Sequence, residues 1–401
     1  MRTQKFTFLN RQGLELSAKL SLPANRKPHS FALFAHCFTC GKDLTSAKMI
    51  TDSLTGGGFG MVQFDFTGLG SSEGDFHKTN FTTNISDLID AAAHMQDELE
   101  SPSLLVGHSL GGSAVIYAAG EINSVKAVAT IGAPSSPSHL KKLFRDKTNE
   151  ISSEGSAEIS IGGRYFRISD QLIKDLETRD LPSFLKELRK PVLILHSPQD
   201  EIVEIDNARS LYNAAWHPKS FISMDGADHL MSDKKDAAYA GSMISEWVKR
   251  YIEIEEKMIP GSGNQVLAFN DEGYTVELKS GKHLLRSDEP ETVGGNDFGP
   301  DPYSLLLSAL GSCTAMTIRM YANRKGWDVD SISVHLDHSK IYSDDCDGCE
   351  NSTSKIDKIE KQIRITGDLD EKQIGRMMEI SEKCPVHKTL NNTVVIETAL
   401  V

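Results

Sequence analysis

Over roughly the first 255 residues, short and nearly all-apolar runs alternate with longer helix-type stretches. The runs Phe6–Phe8, Leu14–Leu20, Phe31–Phe34, Met61–Phe66, Leu104–Val106, Val128–Ile131, Val192–Leu195 and Ser220–Met224 predict strands. Between them Ala47–Leu54, Asn84–Glu100, Ser113–Gly120 and Asn207–Ala215 predict helices. Short apolar strands with helices in between imply an α/β fold, a parallel sheet covered on both faces. Residues 136–186 break the rhythm: they are polar, mixed and contain Gly162-Gly163. A long interruption of this kind predicts a small lid over a site.

Residues 256–263 sit in a charged, then Pro/Gly/Ser-rich stretch with the composition of a linker. Beyond it the pattern changes. Val266–Phe269, Tyr274–Leu278 and His283–Arg286 predict a meander, followed by a long helix from Pro302 to Lys325. Strands near Ile332–His338 and Ile359–Thr366, a helix near Glu371–Lys383 and a last strand Thr393–Thr398 complete an α+β order. The chain is therefore expected to hold two domains, 1–255 and 264–401.

Composition narrows the function. With 401 residues, 43 basic and 56 acidic side chains, the formal charge is −13. That argues against nucleic acid or an anionic membrane as the main partner, because both need a basic face. Apolar runs are short against the ~18–20 residues of a membrane span, so no membrane partner is expected. The start MRTQKFTFLN has no apolar core of a secretory signal, and six cysteines are too few for a disulfide scaffold. A cytoplasmic protein is the expectation.

The segment LLVGHSLGGSAVIYAA places Gly107-His108-Ser109-Leu110-Gly111 between a strand and a helix. A serine on a sharp strand-to-helix turn needs small residues two before and two after it, and Gly107 and Gly111 supply them. The base and acid should follow in the order Ser, Asp/Glu, His. VLILHSPQD ends a strand with Asp200, and FISMDGADHL ends the next with His229. A lone Asp or His is usually structural, but three residues in this order at three strand ends point to nucleophilic catalysis. Asp225 and Asp228 compete with Asp200; Asp228 adjoins His229 and would face elsewhere. An oxyanion site needs two backbone N–H groups. Leu110 gives one, and the loop AHCFTCGKD offers the other at Phe38.

On HCFTCGKD, FDFTGLGSSEG, GHSLGG, PQD and DHL, residues 1–255 resemble the α/β-hydrolase superfamily. The resemblance implies serine hydrolysis of an ester or thioester and gives Asp65 and the Gly68/Gly70 turn a structural role. One departure is that His36-Cys37 stands where His-Gly is usual.

The cysteines are Cys37, Cys40, Cys313, Cys346, Cys349 and Cys384. Two Cys-x-x-Cys pairs in different domains do not make one four-ligand zinc site, so structural thiols are the expectation, with the 346–349 loop the better metal candidate. Cys313 lies in an apolar helix behind Gly311-Ser312, and Cys384, in KCPVHKTL, stands just before a proline that ends a helix. A reactive thiol with a distant second thiol is the minimum for a two-cysteine peroxidase.

With GPDPYSLLLSALGSCTAMTIRMYA and KCPVHKTL, residues 264–401 resemble the osmotically inducible protein C/organic hydroperoxide resistance family. The resemblance implies reduction of organic hydroperoxides at Cys313, with Cys384 resolving, a thiol reductant, and an intertwined homodimer through this domain. Many members carry a glutamate that positions an arginine over the thiol; here Tyr303 and Ser304 occupy that stretch. Arg286, Arg319 and His387 are the candidate cations. Three readings follow: a bifunctional hydrolase and thiol peroxidase, a hydrolase with a non-catalytic dimerisation or ligand-binding domain, or an inert α/β domain fused to a peroxidase. The complete set Ser109, Asp200 and His229 argues against the last. No cofactor or metal is expected at either site, and both substrates are small molecules.

Overall fold

The computed structural model describes residues 2–23, 27–161, 164–254, 265–270, 273–342 and 355–400. It separates into two compact units, Met1–Ile259 and Pro260–Val401. The expected linker 256–263, the Gly162-Gly163 pair and the Cys346/Cys349 loop lie outside the described residues.

The first unit is built on eight strands. These are β1 (Arg2–Leu9), β2 (Glu15–Leu22), β3 (Ser30–Ala35), β4 (Phe59–Phe64), β5 (Pro102–His108), β6 (Ala127–Ile131), and, after an insertion, β9 (Val192–His196) and β10 (Lys219–Ser223). Their order in the sheet is β1-β2-β4-β3-β5-β6-β9-β10. β4, β3, β5, β6, β9 and β10 run parallel. β1 and β2 pair antiparallel at one edge, which departs from an all-parallel expectation. Their sequences explain it: RTQKFTFL and ELSAKLSL alternate, so each strand needs cover on one face only. β3 to β6 are buried throughout because both faces are covered.

Successive side chains of a strand feed opposite layers. Ala32 and Phe34 pack with α1 (Thr45–Gly56) and α8 (Lys234–Val248) on one face. Leu33 and Ala35 pack with α2 (Phe81–Glu98), α3 (Leu110–Glu121) and α7 (Asp206–Ala214) on the other. α2 starts at a reciprocal cap, in which Asn80 Oδ1 accepts from the Thr83 N–H at 2.9 Å and the Asn80 N–H donates to Thr83 Oγ1.

The interruption at 136–186 is more regular than its polar sequence predicts. It holds a 3-10 segment Pro137–Lys147, α4 (Thr148–Glu154), a hairpin of β7 (Ser156–Ile161) and β8 (Arg164–Ser169), α5 (Asp170–Glu177) and α6 (Leu181–Glu187). Its elements are short and amphipathic, so polar residues dominate the sequence while Phe144, Ile151, Ile159, Ile168, Leu176 and Leu185 join the main core.

The second unit carries an antiparallel meander of β11 (Val266–Phe269), β12 (Val276–Ser280) and β13 (His283–Ser287). After it come α9 (Pro302–Lys325), the antiparallel pair β14 (Asp328–Tyr342) and β15 (Lys355–Asp368), α10 (Glu371–Ser381) and α11 (Pro385–Asn391). α9 has strong signals at both ends. Asp301 accepts from the Ser304 N–H at 3.0 Å, Pro302 stands in the first turn, and Gly326 closes the helix with φ 67°.

Two expectations need correcting here. Thr393–Thr398 is not a strand; Val395 and Ile396 are 80% and 84% exposed. Strand character alone does not make a strand without a neighbour to supply hydrogen bonds. α9 is also long and apolar enough, by length and composition, to cross a membrane, although no single apolar run in the sequence reaches that length. In this unit its Leu310, Thr314, Ile318 and Ala322 row is buried as the helix packs on β14, α10 and α11.

Candidate active site

The carboxyl ends of β5, β6, β9 and β10 are knit together by backbone hydrogen bonds. Ser109 N–H donates to Ile131 O at 2.8 Å, Gly132 N–H to Leu195 O at 2.9 Å, and Met224 N–H to His196 O at 3.0 Å. The loops that leave these strands are thus held side by side. Ser109 sits at φ 55°, ψ −126°, a conformation costly for a residue with a side chain. The glycines make it sterically attainable. A Cβ on Gly107 would lie 2.4 Å from Gly111 O, and one on Gly111 would lie 2.5 Å from Ala35 O and His36 O. The second contact means that the start of α3 abuts the end of β3, placing the loop after β3 beside Ser109.

The structure brings Ser109, His229 and Asp200 into one hydrogen-bonded line. His229 Nε2 is 2.9 Å from Ser109 Oγ, and His229 Nδ1 is 2.7 Å from Asp200 Oδ2. All three are buried. Asp200 Oδ1 accepts from the N–H groups of Ile202 and Val203 at 2.9 and 2.8 Å, which fixes the carboxylate and leaves Oδ2 for the imidazole. Burial alone would raise the Asp200 pKa; the bonds from His229 and from the Val203 and Ile202 backbone outweigh it and hold the carboxyl below its usual range. Against an ionised carboxylate Nδ1 carries the proton, so Nε2 accepts from the serine hydroxyl. Asp225 and Asp228 are exposed and occupied elsewhere, by Ser223 Oγ and the Ser232 N–H.

Three features escaped the sequence reading. Gly132, at φ 55°, presents no side chain where a Cβ would stand 3.3 Å from Asp200 Oδ2 and 3.4 Å from His229 Nδ1. His108, next to the serine, bonds through Nε2 to the main-chain oxygen of His229 at 2.7 Å, so the elbow itself holds the base loop. Burial, with His229 nearby, lowers the His108 pKa to about 4, keeping it neutral. The third feature is a disulfide, Cys37–Cys40, with Cα atoms 5.3 Å apart, where free thiols were expected. The spacing CFTC contains no glycine to announce the turn that closes it; Thr39 adopts φ 61° instead.

Phe38 lies inside that disulfide loop. Among the described residues, no backbone acceptor takes the N–H of Phe38 or of Leu110. The Phe38 ring packs on Phe76 and on Phe144 of the insertion, with centroids 5.6 and 6.2 Å apart. Arg164 of β8 donates to Thr39 O at 2.6 Å, so the insertion also grips this loop. Asp65 is buried behind it. Its carboxylate accepts from the Lys42 and Ser71 N–H groups at 2.7 and 3.0 Å and pairs with Lys42 Nζ at 2.5 Å.

In the second unit α9 and α11 bring Cys313 and Cys384 together, although 71 residues separate them in sequence (384 − 313). Cys313 is half-buried and Cys384 buried, and both are free. Burial raises the Cys313 pKa, and the bond to Cys384 raises it further. Cys384 moves the other way. Burial opposes its ionisation, but bonds from Cys313, the His387 backbone and Thr314 outweigh that. The expected reactive thiol, Cys313, is therefore paired with a second thiol that its own bond helps to ionise. The candidate cations are engaged elsewhere. Arg319 bonds to Val329 O and Asp330 O, Arg286 approaches Glu277, and His387 lies 3.1 Å from Glu382. Tyr303 stacks on His338 at 4.4 Å, and Ser304 caps α9 through Asp301. Among the described residues no cluster of three or more His, Cys, Asp or Glu could hold a metal.

Comparison with known proteins agrees with this division. Residues 40–154 match the serine aminopeptidase S33 family model and residues 294–399 the OsmC-like protein model. A crystal structure of the esterase domain of a Rhodothermus marinus protein is 45% identical, with a TM-score of 0.54, over 63% of this chain and 100% of that one. Mouse mitochondrial palmitoyl-protein thioesterase ABHD10 is 29% identical over 189 residues, 45% of this chain and 62% of that protein. The chain thus spans about three fifths of that relative. A structure of Est1E from Butyrivibrio proteoclasticus with ferulic acid bound, 20% identical with a TM-score of 0.51 over 62% of this chain and 99% of that one, shares the fold.

Proposed function

Since the chain belongs to the α/β-hydrolase family in its N-terminal unit and carries an OsmC-like domain behind it, we propose that it is a serine hydrolase of small-acyl esters or thioesters joined to a thiol-dependent organic hydroperoxide reductase. The line Asp200–His229–Ser109 carries the first half of this reading. Ser109 Oγ attacks the acyl carbon while His229 Nε2 takes its proton; His229 then returns that proton to the leaving alcohol or thiol. Asp200 keeps Nδ1 protonated and stabilises the imidazolium. The N–H groups of Phe38 and Leu110 receive the oxyanion. Water, activated by the same histidine, releases the acid. The insertion acts as the lid, through its Phe144 and Arg164 contacts with the oxyanion loop.

In the second half a thiolate takes the terminal oxygen of a hydroperoxide, releasing the alcohol and leaving a sulfenic acid. The other thiol displaces water to form the Cys313–Cys384 disulfide, which an external thiol reduces. The resemblance of this unit to OsmC-like proteins supports Cys313 as the attacking thiol. A non-catalytic dimerisation or ligand-binding domain is the second reading, favoured by the raised Cys313 pKa. Ser109→Ala should abolish p-nitrophenyl ester turnover and spare hydroperoxide consumption; Cys313→Ser should do the reverse. Hydroperoxide consumption absent from the intact protein would leave the second reading. Ester turnover surviving Ser109→Ala would overturn the first half.

A further inference from the structure

The loop between β3 and α1 holds a thiol pair that neither half of the proposed chemistry uses. The Cys37–Cys40 disulfide closes a ring containing only Phe38 and Thr39, and Phe38 is half of the proposed oxyanion site. The loop is held in a conformation it would not choose alone. Thr39 has φ 61°, an outlier for a β-branched residue, which persists only where the surroundings over-determine it. Its neighbours on both sides are fixed: β3 ends at Ala35, and Lys42 is tied to Asp65 through both its N–H and its Nζ. Between these anchors the loop is held by the Arg164 bond to Thr39 O, the Cys40 N–H bond to Cys37 O at 3.2 Å, the packing of Phe38 and the disulfide. The disulfide is the only covalent brace.

The two sulfurs differ in access. Cys37 is 4% exposed, whereas Cys40 is half-buried. We propose that Cys37–Cys40 is a redox site that sets the activity of Ser109, the disulfide form being the active one. The proposal rests on the esterase reading above. A thiolate of a dithiol reductant attacks Cys40 Sγ, the Cys37–Cys40 bond breaks, and its electron pair leaves on Cys37, which takes up a proton. The second thiol of the reductant, deprotonated, then attacks the mixed disulfide and releases Cys40, and the reductant departs as a disulfide carrying two electrons fewer. Two unbonded sulfurs cannot stay at bonding distance. Thr39 then relaxes towards negative φ and turns the Phe38 N–H away from the oxyanion. Substrate binding elsewhere is untouched, so the loss falls on kcat.

The test equilibrates the full chain across ratios of reduced to oxidised dithiothreitol and quenches with N-ethylmaleimide. Peptide mass spectrometry reads each cysteine, and a short p-nitrophenyl ester and a fluorophosphonate probe read Ser109. The expected result is a roughly tenfold fall in kcat and in labelling rate, in step with alkylation of Cys37 and Cys40, with KM changed less than twofold. The double variant Cys37→Ala/Cys40→Ala should sit at the reduced level and ignore the ratio, while Cys313 and Cys384 still titrate. Unchanged kcat in wild-type protein with both cysteines alkylated would overturn the proposal, and that comparison needs no variant to fold. So would a response that persists in the double variant. No labelling of Ser109 in either state would overturn the esterase reading and this proposal with it.

Discussion

The two units hold their reactive groups in opposite ways. Around Ser109 the three triad side chains are buried, and contacts from the same unit hold them: backbone N–H groups fix Asp200, and His108 holds the main chain of His229. Around Cys313 the helix is largely uncovered. Met316 and Met320 on α9 are 64% and 73% exposed, and the core of that unit is a small cluster of Ile318, Ala322, Val329 and Met377. A site built within one chain needs nothing further to set its charges. The Cys313 thiol has a raised pKa and stands on a helix with several apolar side chains in water. The serine side chains are enclosed by their own unit, whereas α9 keeps Met316 and Met320 in water.

The sharpest way to break that comparison is through Asp200. Asp200→Asn keeps the size of the side chain and removes the charge that fixes the His229 tautomer, so kcat for ester hydrolysis should fall about 10⁴-fold. A fall below tenfold would mean that the line of bonds is not the catalytic one. Next, the homodimer that the family resemblance implies is tested by Met316→Lys/Met320→Lys, which should convert it to a monomer by sedimentation velocity and cut hydroperoxide consumption at least tenfold. Ester turnover should stay within twofold. Equal losses at both sites would erase the contrast.

The smallest effect concerns stability. The unfolded chain protonates His108 near its ordinary 6.5, whereas the folded chain resists until about 4. Its contribution is therefore complete above pH 6.5 and is lost as pH falls towards 4, at most about 3 kcal/mol. Burial also lowers His36 and His196, with the same sign. His108→Gln keeps a donor for His229 O and cannot be protonated, so its urea midpoint should drop less between pH 7 and 4.5 than that of the wild type. Equal drops would remove His108 from the account.

Most of the scaffold was legible because buried parallel strands are written as apolar runs and helices as periodic ones. Ser109, Asp200 and His229 were legible because each follows such a run, in an order the topology dictates. What escaped depends on contacts between segments distant in sequence. Gly132 reads as an ordinary turn until Asp200 and His229 are placed against it. Arg164 reads as a surface charge until it meets Thr39 O, 125 residues away. The Cys37–Cys40 bond needs a threonine at positive φ, which no residue pattern announces. The misplaced strand 393–398 has the same origin: its composition states a preference, and only a neighbouring strand can satisfy it.

Whether the serine site is complete within its own unit is tested most directly by fluorophosphonate labelling of the full chain, with Cys313 and Cys384 first blocked by alkylation and the adduct located by peptide mass spectrometry. One adduct per chain is expected, on Ser109, formed at the rate seen in the unblocked protein. An adduct on another serine, or a Ser109 rate that collapses when the two thiols are blocked, would contradict it.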